Sequence, residues 1–106
     1  MAKAPSSIFG QRMRFARERL AMSQDRLGVM IGLDEGCSSA RISRYESGVH
    51  QPPFEIAEKI AAVLRVPMAF LFCRDDVMAK VLLDLHILTP EQLAVVRRSI
   101  ARQRKK

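Results

Sequence analysis

Between residues 38 and 48 the chain places Ser39, Ala40, Arg41, Ser43 and Arg44 on one side of a helical pattern, with Ile42 and Tyr45 on the other. Residues three and four apart on a helix share a face, so Ile42 and Tyr45 point inward together while the hydroxyls and guanidiniums point out. Such groups donate hydrogen bonds and carry positive charge. They suit an anionic polymer better than bond-breaking chemistry, for which no nucleophile, base and oxyanion-hole set is present.

Those residues need a short helix held by its neighbours, because a helix of two or three turns does not persist alone in water. The preceding segment supplies a neighbour. Ser23 can accept an orphan backbone N–H at a helix start. Leu27 and Ile31 lie four apart on one face, and Gly32 suits the left-handed position that ends a helix. Ser38 or Ser39 is expected to cap the second helix, and Gly48 to end it.

This pattern resembles the helix-turn-helix of the lambda-repressor/Cro-like (XRE-type) DNA-binding family. The matching residues are Ser23-Gln24 with Leu27 and Ile31, then Ile42-Ser43-Arg44-Tyr45-Glu46-Ser47-Gly48, then Pro52. Ile60 to Leu64 with Val66 match the family's closing helix, and Met13 and Arg17 its first. The likeness covers roughly two-thirds of the chain, one small domain's worth.

The resemblance implies that the helix around Ser39–Ser47 enters the major groove with its first turns at the base edges. Ser39, Ala40 and Arg44 are then the base-contact candidates: arginine reads guanine bidentately, and a small apolar side chain can meet a thymine methyl. Ser38, Arg41, Ser43 and Ser47 are expected at phosphates. Gln24 opens a helix whose N-terminus faces a phosphate in this family, where free N–H groups favour an anion. The resemblance also implies an ion pair between Arg17 and Glu46, fixing the pose of the recognition helix. Two departures stand out. The stretch from Gly32 to Ser39 is about four residues longer than the usual turn and carries Asp34 and Glu35, which would repel a phosphate unless the loop folds away. Gly28 replaces the usual alanine, at a cost of about 0.8–1 kcal/mol in a helix interior, and is expected to allow close helix packing.

Composition agrees with a polyanionic partner. The net charge is +7, with +4 in residues 1–20, +6 in residues 97–106 and −3 between them. Nucleic acid is the default partner for such a chain, and the resemblance implies double-stranded DNA. Cys37 and Cys73 form no disulfide framework and are expected to be reduced, with Cys37 an unreactive thiol in the extended loop. With His50 and His86 they have no metal-ligand spacing, so neither a metal nor another cofactor is expected. No apolar run is long enough to span a bilayer, and no secretory leader pattern opens the sequence. A cytoplasmic, nucleoid-associated location follows as an expectation.

The rest of the chain reads as all-α: a five-helix lambda-repressor-like domain with two additional C-terminal helices. Residues 1–6 are expected to be disordered, 7–74 to form the DNA-binding domain, 75–103 a helical extension and 104–106 a basic tail. The first helix takes Phe9, Met13, Ala16 and Leu20 inward. The fourth starts near Pro53 with Phe54, Ala57, Ile60, Ala61 and Leu64 inward, and a short fifth follows Pro67. Asp75 or Asp76 caps a sixth helix with a stripe of Met78, Val81, Leu82 and Leu85. Thr89-Pro90-Glu91-Gln92 combines an N-cap, a proline at the first helical position and a capping box. The last helix is expected to take Leu93, Val96 and Ile100 inward. These two stripes either fold back on the domain or pair with a second copy, and a homodimer is the expectation.

The expected function is a sequence-specific transcriptional regulator, a repressor in sign, without enzymatic activity. The competing expectations are an antitoxin-like or other protein-interaction module on a helix-turn-helix scaffold, and a non-specific DNA binder. Effector ligand, operator and target genes are not written in the sequence.

Overall fold

The computed structural model describes residues 7–105, so the expected disorder of residues 1–6 lies outside it. Seven helices occur, and no strand is present among the described residues: α1 (Ile8–Arg19), α2 (Gln24–Met30), α3 (Ser38–Ser47), α4 (Phe54–Leu64), α5 (Met68–Phe72), α6 (Asp76–His86) and α7 (Pro90–Arg104). The all-α expectation holds, with every expected helix present.

Local signals explain most boundaries. Ser7 and Ser23 accept the N–H groups of Gly10 and Arg26, capping α1 and α2. Gly32 adopts φ +98° after α2. The Gly32 and Leu33 N–H groups bond to the Val29 and Gly28 carbonyls, the paired arrangement that closes a helix around a left-handed residue. Gly48 ends α3 in the left-handed region. Asp75 caps α6, and Thr89 and Gln92 form both halves of the capping box that starts α7. One cap differs from expectation. Neither Ser38 nor Ser39 caps α3; Cys37 holds that position without a side-chain bond, and Ser38 is already inside the helix.

A single core joins α1 to α5. Met13, Leu27, Ile42, Ile60, Leu64 and Leu71 are wholly removed from solvent there. α2 packs most closely on α3, while α1 lies against α3, α4 and α5. Gly28 enables the first contact. A Cβ there would lie 2.4 Å from the Ser38 Cβ, so alanine would force the two helices apart. The expected close packing at Gly28 is therefore observed.

α6 docks through buried Ala79 and partly buried Leu83, while Leu82 and Leu85 of its expected stripe are half-buried. Met78 and Val81 are 53% and 41% exposed. No residue of α7 is buried, and Ile100, expected inward, is 53% exposed. α7 also runs through Arg104, one residue beyond its expected end. α7 does not fold back over the core, and the molecule is elongated, 54 × 25 × 24 Å.

Candidate nucleic-acid interface

The outward face of α3 is built by what anchors its inward face. Ile42 and Tyr45 enter the core, and Glu46 is 1% exposed. Arg17 of α1 donates to the Glu46 carboxylate through Nε (2.6 Å to Oε2) and Nη2 (3.2 Å to Oε1). Its Nη1 donates to the Met22 carbonyl at 2.7 Å, so one guanidinium ties α1, the turn before α2, and α3 together. Gln24 Nε2 donates to Glu46 Oε1 at 3.0 Å, and Arg14 Nε lies 3.6 Å from that oxygen. A buried carboxylate costs desolvation, and this one is met by donors from two helices. Gly10 completes the contact: a Cβ there would sit 1.9 Å from the Glu46 carbonyl oxygen, so α1 touches the backbone of α3.

A second anchor holds the other end of α3. Ser38 is wholly buried against Gly28, and its Oγ donates to Asp25 Oδ1 at 2.5 Å. The α2–α3 crossing is thus held through space at both ends. The longer connection between them bulges outward. Asp34 to Cys37 are all exposed, closed by a turn in which the Cys37 N–H bonds to the Asp34 carbonyl at 3.0 Å.

The side chains left facing solvent on α3 are Ser39, Ala40, Arg41 and Arg44, with Ser43 half-buried beside them. These five share one surface. Three residues expected there are placed otherwise. Ser38 lies four before Ile42, on the inward face, and its hydroxyl is spent on Asp25, so it does not reach a phosphate. Ser47 is 7% exposed, and its hydroxyl donates to the Arg44 carbonyl. The Gln24 side chain is engaged with Glu46, leaving the N-terminus of α2, not its amide, for an anion. Sequence reasoning passed over Gly10, Arg14 and Asp25. Gly10 interrupts an otherwise regular helical pattern, which is a signal of close approach. Asp25 and Arg14 offered none, because charged residues on short helices are ordinarily solvated.

Five helices around one core, with α2 and α3 presenting a short cationic helix, define a helix-turn-helix protein. The family model described as Helix-turn-helix matches residues 13–71. The chain belongs to this XRE-type, lambda-repressor-like family. It is 33% identical over 73 residues to an "uncharacterized HTH-type transcriptional regulator" of Sinorhizobium medicae (strain WSM419) and, equally, to one of Rhizobium meliloti (strain 1021). Each match covers 66% of this chain and 50% of the relative, so the aligned part is half the length of those proteins. The crystal structure of the transcriptional regulator BswR is similar at a TM-score of 0.83 and 41% identity. That match covers 88% of this chain and 92% of the other, more than the five-helix unit alone provides. These likenesses support a DNA-binding transcriptional regulator.

Proposed function

We propose that the chain is a sequence-specific repressor that places α3 in the major groove as a homodimer. The exposed face of α3 carries this proposal: Ser39, Ala40, Arg41, Ser43 and Arg44 form one donor-rich surface on a helix clamped at both ends. Ser39, Ala40 and Arg44 read base edges, Arg44 by bidentate contact to guanine. Arg41 and Ser43 bond phosphates and set the register, with the N-terminus of α2 against a further phosphate. Repression is the proposed sign because occupying a promoter asks no more of the protein than tight seating. The proposed place of action is the cytoplasm, at the nucleoid.

The homodimer rests on residues 75–103. Val77, Met78, Val81, Val95 and Ile100 on two consecutive helices, with Ile87 between them, are all more than two-fifths exposed. Soluble monomers seldom expose this many large apolar side chains over so short a stretch, and two-fold pairing is the commonest way to cover them. Selection of random duplexes on the full chain tests the whole proposal. A palindromic motif is expected. Salt-sensitive retention without a motif would show a non-specific binder.

A further inference from the structure

α6 is joined to the five-helix unit by three residues, 73 to 75, and one side chain of α1 grips that link. Arg12 Nε donates to the Cys73 carbonyl at 2.8 Å. Its Nη2 donates to the Arg74 carbonyl at 3.2 Å and to Asp76 Oδ1 at 2.9 Å. The guanidinium also lies 5.7 Å from the centre of the Phe70 ring. The Arg12 side chain is 14% exposed, and its bond to the Cys73 carbonyl is partly buried, while those to Arg74 and Asp76 face solvent. The apolar packing beside them is thin. Ala79 and Leu83 are the residues by which α6 meets the core, and a cavity of about 300 Å³ remains next to Arg12, Phe15 and Leu83. Packing alone therefore leaves α6 room to swing, and the Arg12 fork removes that freedom.

We infer that Arg12 is a positioning residue that determines which spacing of operator half-sites the protein accepts. This rests on the homodimer proposed above, in which α6 and α7 are the arms that join two copies. The angle of α6 to the unit bearing α3 then sets the separation of the two recognition helices. An 11-residue helix is about 16 Å long, so a swing of about 20° at its start moves its far end by about 6 Å. That displacement is nearly two base-pair steps of about 3.4 Å. A fixed angle selects one spacing, and a loose one admits several. Lysine would not substitute, because a single ammonium cannot hold two carbonyls and a carboxylate in one plane.

The experiment uses the full chain and duplexes carrying two copies of the half-site selected by the wild type, separated by every short spacer in each orientation. The wild type enriches one spacing. Arg12→Ala and Arg12→Lys remain dimeric by sedimentation and select the same half-site. Their discrimination between the best spacing and its neighbours falls by about tenfold. A sharp wild-type spacing in both variants overturns the role of Arg12 while the dimer stands. A changed half-site consensus also overturns it, since the effect would then lie in base reading. A wild type that selects isolated half-sites and sediments as a monomer overturns the dimer, and the inference with it. If both Arg12 variants fail to fold, Arg12→Met decides, because it keeps an apolar stem beside Phe70 and holds neither carbonyl nor Asp76. Broadened spacing in Arg12→Met supports the inference, and unchanged spacing refutes it.

Discussion

The α2–α3 crossing and the α6–α7 arm are both pairs of consecutive helices, yet they are held in opposite ways. The first is secured from within. Glu46 is gripped by Arg17 and Gln24, Ser38 is bonded to Asp25, and Gly28 lets the backbones meet. The second has good caps at Asp75 and Thr89, but Ala79 is the one residue buried along its two helices. Capping fixes where a helix starts, and only burial fixes where it lies. The contrast puts rigidity at the part proposed to meet base edges, and leaves apolar surface on the part proposed to meet another copy.

The largest effect that probes this contrast is at Glu46. Glu46→Ala leaves Arg17 buried without its carboxylate, and breaking such a pair costs about 3–5 kcal/mol. Urea unfolding should show that loss, and a change under 1 kcal/mol would mean the pair is solvated in solution. Gly28→Ala comes next. The added methyl meets Ser38, and overpacking of this kind costs about 1–3 kcal/mol. Its unfolding midpoint should fall while an alanine at Gly36, where a Cβ meets nothing within 4 Å, changes little.

Val81→Asp should behave the other way. Val81 is 41% exposed and outside the core, so the folding free energy of the isolated chain should move by less than about 0.5 kcal/mol. Self-association should weaken by tenfold or more, about 1.4 kcal/mol, because a buried charge in an apolar interface has no partner. Sedimentation equilibrium measures this, and unchanged association would place the contact between copies elsewhere. The smallest effect belongs to the loop. Neutralising Asp34 and Glu35 as Asn and Gln should raise DNA affinity by under about 1 kcal/mol, most visibly at low salt. An unchanged affinity would show that the exposed loop points away from the phosphates.

How much of this was legible in the sequence follows the same division. Ser23, Gly32, Gly48 and the Thr89 box act over four residues, and each stands where local chemistry put it. The inward faces of α1 and α4 follow from periodicity where the core covers them, as at Met13 and Ile60; Phe54, expected inward, sits at the first position of α4 and is 63% exposed. Ser38 was misplaced as a phosphate contact because its burial depends on the absence of a side chain at Gly28, ten residues away. The periodicity nevertheless held the answer, since Ser38 shares a face with Ile42. The α6 stripe left folding back and pairing both open, because periodicity marks an apolar face without saying what covers it. Ala79 and Leu83 meet the core there, while Met78 and Val81 face out. Arg12 gave no sign at all: a guanidinium that binds carbonyls sixty-one and sixty-two residues away has no local pattern.

The central claim is that the exposed face of α3 reads base sequence, and the binding of Arg44→Ala to the selected site and to random duplex tests it most directly. Both proteins would be titrated at one fixed salt concentration, because the phosphate contribution varies steeply with salt. Base reading by Arg44 predicts a loss of about 1–3 kcal/mol on the selected site, little loss on random DNA, and relaxed preference at one position. An equal loss on both duplexes would contradict it, and would make Arg44 a phosphate contact on a helix that does not read sequence there.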